Sequence, residues 1–94
     1  MEFTWDDAKN VSSFRKHQVW FEEAVTVFDD LLAREIPDID HSDEEERWII
    51  LGMSSELNLL VVVYVEKVDE VLVRIISARQ ATRSEETEYT RRLK

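Results

Sequence analysis

The chain has no cysteine, and among its 94 residues there is a single glycine, Gly52, and a single proline, Pro37. Without thiols there is no disulfide framework and no cysteine-based zinc ribbon, which excludes a bridge-stapled secreted mini-protein. With so little glycine, no P-loop, GxGxxG or GxSxG motif can be written, and HExxH is missing too. Nucleotide-cradling, nucleophile-elbow and zinc-protease readings therefore have no support. Long hydrophobic runs are also lacking: the longest, residues 59–65, is far short of the ~18 residues of a membrane span. The opening MEFTWDD carries acids where a signal peptide needs bases. The expectation is a cytoplasmic protein without membrane association.

Basic residues are the scarcer charge, 12 against 21 acids, for a net charge of -9. The deficit is local. Residues 22–46 hold eleven acids and one base, Arg34, whereas the remaining 69 residues sum to +1. Two segments contain bases and no acid: residues 9–17, with Lys9, Arg15 and Lys16, and residues 71–83, with Arg74, Arg79 and Arg83. If the fold joins them, a positive site forms on a protein that repels polyanions elsewhere. The other reading of such segments is an ordinary solvated surface.

What is present is enough for one core. Hydrophobic residues make up 44% of the chain and aromatics 10%, which argues against disorder. A chain of this length buries only roughly 60–65% of its unfolded surface, so residues 1–94 are read as a single domain. Glu2-Phe3-Thr4-Trp5 alternates as a short edge strand, and Asp6 stands as the N-cap of a helix from Asp7 to about Lys16, with Ala8, Val11 and Phe14 along one side. Residues 20–28 carry a buried helical stripe. Residues 31–36 are a weak strand candidate before Pro37 and an acidic turn at 38–46. The runs 47–53, 59–65 and 71–77 have the spacing of a strand meander. Thr82 and Glu85 have capping-box spacing at the start of a last helix running through Tyr89 towards Arg92. The sum is an α+β domain: strand, two helices, a meander of about four strands and a C-terminal helix.

Three groups carry candidate chemistry. Lys16-His17 closes the first helix, where the dipole favours a cation and where a histidine can also serve simply as a carbonyl cap. Arg79 lies where the last strand should end, a place suited to a phosphate-binding guanidinium fork or to a surface ion pair with one of the many acids. Glu85 and Tyr89 share a helix face, as proton-transfer groups or, for Tyr89, as packing. The acids of 38–46, with His41, lack the alternating ligands and the glycine of a calcium loop, so no metal site or cofactor is expected.

Taken in order, Phe3-Thr4-Trp5-Asp6 with Lys9, Lys16 to Ala24, Val27-Phe28-Asp29, Asp40-His41-Ser42, Glu45-Glu46-Arg47, Leu59 to Val63, and Arg74 to Arg79 with Ala81-Thr82-Arg83, Glu85 and Tyr89 resemble the BrnT family over almost the whole chain. That family comprises ribonuclease toxins of type II toxin-antitoxin pairs, with a compact RelE-like fold, held inactive by a BrnA antitoxin carrying a ribbon-helix-helix DNA-binding part. The resemblance implies a metal-independent endoribonuclease that uses the RNA's own 2'-hydroxyl as nucleophile. It points to Lys9, His17, Arg79, Glu85 and Tyr89 as catalytic candidates and to Lys16, Arg74 and Arg83 as RNA-binding ones. It further implies two toxins per antitoxin dimer, with DNA engaged only through the antitoxin. The family usually has Asn at Ser13, Gly at Gln18 and a base at Asn58. Two other readings stand beside this one: a non-catalytic module that only holds its antitoxin, and an acidic metal-binding domain.

Overall fold

A computed structural model of the chain describes residues 1–41, 46–67 and 71–91. Runs rich in Val, Ile and Leu form β3 (Arg47–Met53), β4 (Leu59–Lys67) and β5 (Leu72–Gln80), preceded by β2 (Arg34–Pro37) and β1 (Glu2–Thr4). The sheet order is β1-β5-β4-β3-β2. Strands β2 to β5 are the expected antiparallel meander, and β1 lies parallel to β5 from Glu2↔Leu72 to Thr4↔Arg74. The β5 strand reaches Gln80, not 77, so Arg79 sits within the strand. The acidic residues 42–45 and the connection 68–70 lie outside the described residues.

Helices α1 (Asp7–His17) and α2 (Phe21–Val25), the latter followed by a 3₁₀ turn at Thr26–Asp29, cover one sheet face. Asp6 caps α1 as expected, its carboxylate accepting from the Lys9 N–H at 3.1 Å. The core on this face joins Val19, Phe21, Ala24 and Val27 to Ile50, Leu60, Val62, Tyr64, Val73, Ile75 and Ala78. On β5, Ile76 is an extra residue, since Val63 pairs with Ser77 while Tyr64 pairs with Ile75. This bulge shifts the alternation by one, so that Val73, Ile75 and Ala78 all face the core.

The packing of α1 departs from the usual amphipathic pattern, and the expectation for residues 20–28 needs correction. The apolar side of α1 does not face the core: Val11 and Phe14 are 40% and 38% exposed, Ala8 is exposed, and the inward residues are Asn10 and Ser13. The reason is the backbone that returns beneath the helix. Its buried polar groups need partners, and polar side chains supply them. Asn10 Oδ1 accepts from the Phe21 N–H at 2.7 Å while Asn10 Nδ2 donates to Glu22 Oε1 at 2.8 Å. Ser13 Oγ donates to the carbonyls of Val19 (2.7 Å) and Ala78 (3.2 Å). Contrary to the expectation of a buried helical stripe, 20–28 is not one helix, and Trp20 at its head is 41% exposed, stacked on Phe14 with ring centroids 4.3 Å apart. Phe21, Ala24 and Val27, three residues apart, are the part that is buried.

Helix α3 (Arg83–Arg91) crosses the opposite sheet face. Its capping box forms as expected: Thr82 Oγ1 accepts from the Glu85 N–H at 3.2 Å, and Glu85 Oε1 accepts from the Thr82 N–H at 2.8 Å. Near the start of the sheet, Asp30 ties three elements together by accepting from the N–H groups of Leu32 (2.9 Å) and Met53 (2.8 Å) and from the Tyr89 hydroxyl (2.6 Å). Burial opposes charge on Asp30, but these donors hold its pKa below the usual value.

Candidate functional site

Along α1, Lys9, Ser12 and Lys16 follow one another at helical spacings of three and four, which puts them on the flank facing β5. With Ser13, His17 and Phe21 they line a hollow of about 200 Å³ whose floor is Ile76, Ser77 and Ala78. The hollow exists because β1 pairs with β5 only as far as Arg74, leaving the bulged stretch beyond it with no strand on that side. The last turn of α1 concentrates Arg15, Lys16 and His17 at the negative end of the helix dipole. Ammonium and imidazole groups around an open strand edge suit a phosphate: the lysines attract it, and an imidazole at its rim can take or give a proton. Gln18 then turns the chain in the left-handed conformation, φ 59° and ψ 32°, with its N–H bonded to the Phe14 carbonyl at 2.8 Å.

Arg79 does not line this hollow. Ala78 points into the core, so Arg79 points to the opposite face, the one that α3 covers. There its guanidinium makes a two-pronged ion pair with Glu85, at 2.8 and 3.0 Å, and also donates to the Gln80 carbonyl at 3.2 Å. The Arg79 partner holds the Glu85 carboxyl down to about 2, assisted by the Thr82 donors and opposed by partial burial. Glu85 reciprocally raises the Arg79 pKa. Glu85 also lines a mainly apolar cleft of about 300 Å³ with Ile36, Ile49, Leu51 and Val61, where Arg34 and Glu88 are joined by an ion pair.

The remaining candidates disperse. Tyr89 is buried, 5% exposed, and its hydroxyl is engaged by Asp30, so it shares a helix face with Glu85 without meeting the same hollow. Arg74, on β5 opposite Val65 and Thr4, is half-buried, and Arg83 is exposed at the first turn of α3. The structure thus brings Lys9, Lys16 and His17 together, and separately Arg79 and Glu85. Ser12, Ser13 and the Ile76 bulge belong to the first group and were not legible as site residues, because two helix serines and an apolar strand residue carry no chemical signature of their own. Among the described residues no group of three or more His, Cys, Asp or Glu side chains is placed to hold a metal ion, and no helix is long and apolar enough to cross a membrane.

Comparison with known proteins follows the same lines. No curated protein matches the sequence. Among solved structures, the crystal structure of the Brucella abortus ribonuclease toxin BrnT superposes with a TM-score of 0.68, covering 88% of this chain and 99% of that one at 24% identity, a likeness of fold. The family model described as ribonuclease toxin, BrnT, of type II toxin-antitoxin system matches residues 5–85. That span takes in the lysine and histidine hollow, strands β2 to β5 and the Arg79–Glu85 pair, and the chain belongs to the BrnT family of ribonuclease toxins.

Proposed function

We propose that this chain is an endoribonuclease that cleaves RNA without a metal ion, and that it acts as the toxin of a pair whose antitoxin is a BrnA-like ribbon-helix-helix dimer binding two toxins. The observation that carries the catalytic reading is the hollow in which Lys9, Lys16 and His17 converge on the open edge of β5. RNA supplies its own nucleophile. The 2'-oxygen bonds to the adjacent phosphorus while its proton passes to a base, the bond from phosphorus to the 5'-oxygen breaks, and that oxygen takes a proton from an acid. The products are a 2',3'-cyclic phosphate and a 5'-hydroxyl. His17 is the group for one of the proton transfers, as acid or base, and Lys9 and Lys16 stabilise the charge that grows on the phosphoryl oxygens.

Arg79 enters as a phosphate binder reached around the edge of β5, with Glu85 positioning its fork; Arg74 and Arg83 extend the positive track. Tyr89 serves this reading through the seat of α3. One observation favours the alternative of a module that only holds its antitoxin: Glu85 already neutralises Arg79. Incubation of the purified protein with RNA in excess EDTA separates the two. Cleavage leaving cyclic-phosphate ends, lost in His17→Ala and reduced at least about 100-fold in Arg79→Ala under conditions where the variant is still folded, is the expected outcome. Absence of cleavage that Mg²⁺ restores refutes metal independence, and a folded protein inactive under both conditions supports the binding module.

A further inference from the structure

Helix α1 is amphipathic the wrong way round for a core helix. Its buried stripe is polar, and Val11 and Phe14 face solvent, extended by Trp20 stacked on Phe14. These three side chains, each about two-fifths exposed, form a continuous apolar step on the flank of α1 away from Lys9 and Lys16. Exposed apolar side chains grouped in this way offer a surface for a partner.

The far side of Trp20 opens into a hollow of about 440 Å³ that it lines together with Glu22, Glu23, Thr26, Ser55 and Glu56. The three carboxylates are uncompensated. Glu22 accepts from Asn10 at 2.8 Å, and Glu23 accepts from Ser54 (2.6 Å) and Asn58 (2.8 Å), all neutral donors. Among the described residues no Lys or Arg pairs with Glu22, Glu23 or Glu56. An indole bordered by three carboxylates with no cationic partner among the described residues repels phosphate, which argues against RNA on this side. It attracts a guanidinium or ammonium, both through charge and through the ring face.

We propose that Val11, Phe14 and Trp20, with Glu22, Glu23 and Glu56, are the docking surface for a basic amphipathic segment of the antitoxin. This rests on the reading of the chain as a toxin held by an antitoxin. Apolar residues of the segment cover Val11, Phe14 and Trp20, and its Lys or Arg side chains enter the acidic hollow. The docked segment then lies on the flank of α1 away from the lysine hollow.

The test is titration calorimetry of the full-length chain against the antitoxin encoded beside its gene, at low and high salt. Val11→Asp and Glu56→Lys, both at exposed positions, should each weaken binding at least about tenfold. Glu56→Lys should also flatten the salt dependence, while Arg34→Ala on the opposite face should leave affinity unchanged. If both variants bind like wild type, the surface is wrong and the toxin reading stands; if wild type binds no antitoxin, both fall. Self-association of the chain alone that Val11→Asp disperses assigns the face to a second copy and overturns the proposal. So does an oligoribonucleotide that binds wild type but not Trp20→Ala while antitoxin affinity is kept.

Discussion

Gln18 carries a cost that follows from having a Cβ. Its φ of 59° lies in the left-handed region, where a side chain crowds the following carbonyl. Its own side chain gives little back, reaching the Arg15 carbonyl only at 3.5 Å. Gln18→Gly should therefore raise unfolding stability by about 0.5–1 kcal/mol in urea titrations, leaving the His17 turn in place. Gly52 is the opposite case. A Cβ there would stand 2.7 Å from Val27 Cγ1 and 3.0 Å from the Ala33 Cβ, so the 3₁₀ turn packs directly on the strand backbone. Gly52→Ala should cost about 1–3 kcal/mol by overpacking, seen as a lower denaturation midpoint at constant slope. A stable Gly52→Ala protein would mean that the turn moves away freely.

At the level of the helix, Glu85 performs two tasks with one carboxylate, capping the first turn of α3 and gripping Arg79. Its folded pKa of about 2 against an ordinary 4.5 fixes the sign of the pH effect. The group binds fewer protons folded than unfolded, so its contribution is complete above the unfolded value and disappears as the pH falls from 4.5 towards 2. The stability gap between wild type and Glu85→Gln should be constant near neutrality and narrow across that acid range, measured by urea unfolding at each pH. This box was legible from the Thr82-to-Glu85 spacing, as were the Asp6 cap and the strands of the meander, since each depends on neighbours in sequence. The burial of α1 was not. Ala8, Val11 and Phe14 follow helical spacing as well as any core stripe, and only the path of residues 18–21 beneath the helix selects Asn10 and Ser13 instead. The separation of Arg79 from the lysine hollow was hidden for a related reason: the Ile76 bulge resets which residues of β5 share a face, and nothing local in the sequence announces it.

For the molecule as a whole, the charge distribution divides the surface into a side that RNA can approach and sides that repel it. The negative charge is carried by residues 22–46, which hold eleven acids and one base and include most of α2, the 3₁₀ turn and β2, while α1 and β5 keep their bases. The same β2 strand forms an exposed sheet edge, every residue of it open to solvent. Because the Asp38 N–H donates to the Arg47 carbonyl, the alternation along the ladder turns Ile36 inward to β3 and leaves the backbone groups of Glu35 and Pro37 facing outward. Glu35 is also held by Tyr64, whose buried hydroxyl bonds its carboxylate. Proline has no N–H to offer, so a foreign strand meets a ladder with a missing rung beside a charged residue. Pro37→Val restores that rung, and light scattering should then show concentration-dependent oligomers in the variant and none in wild type. The lone proline thus keeps the domain's edge from templating its own aggregation.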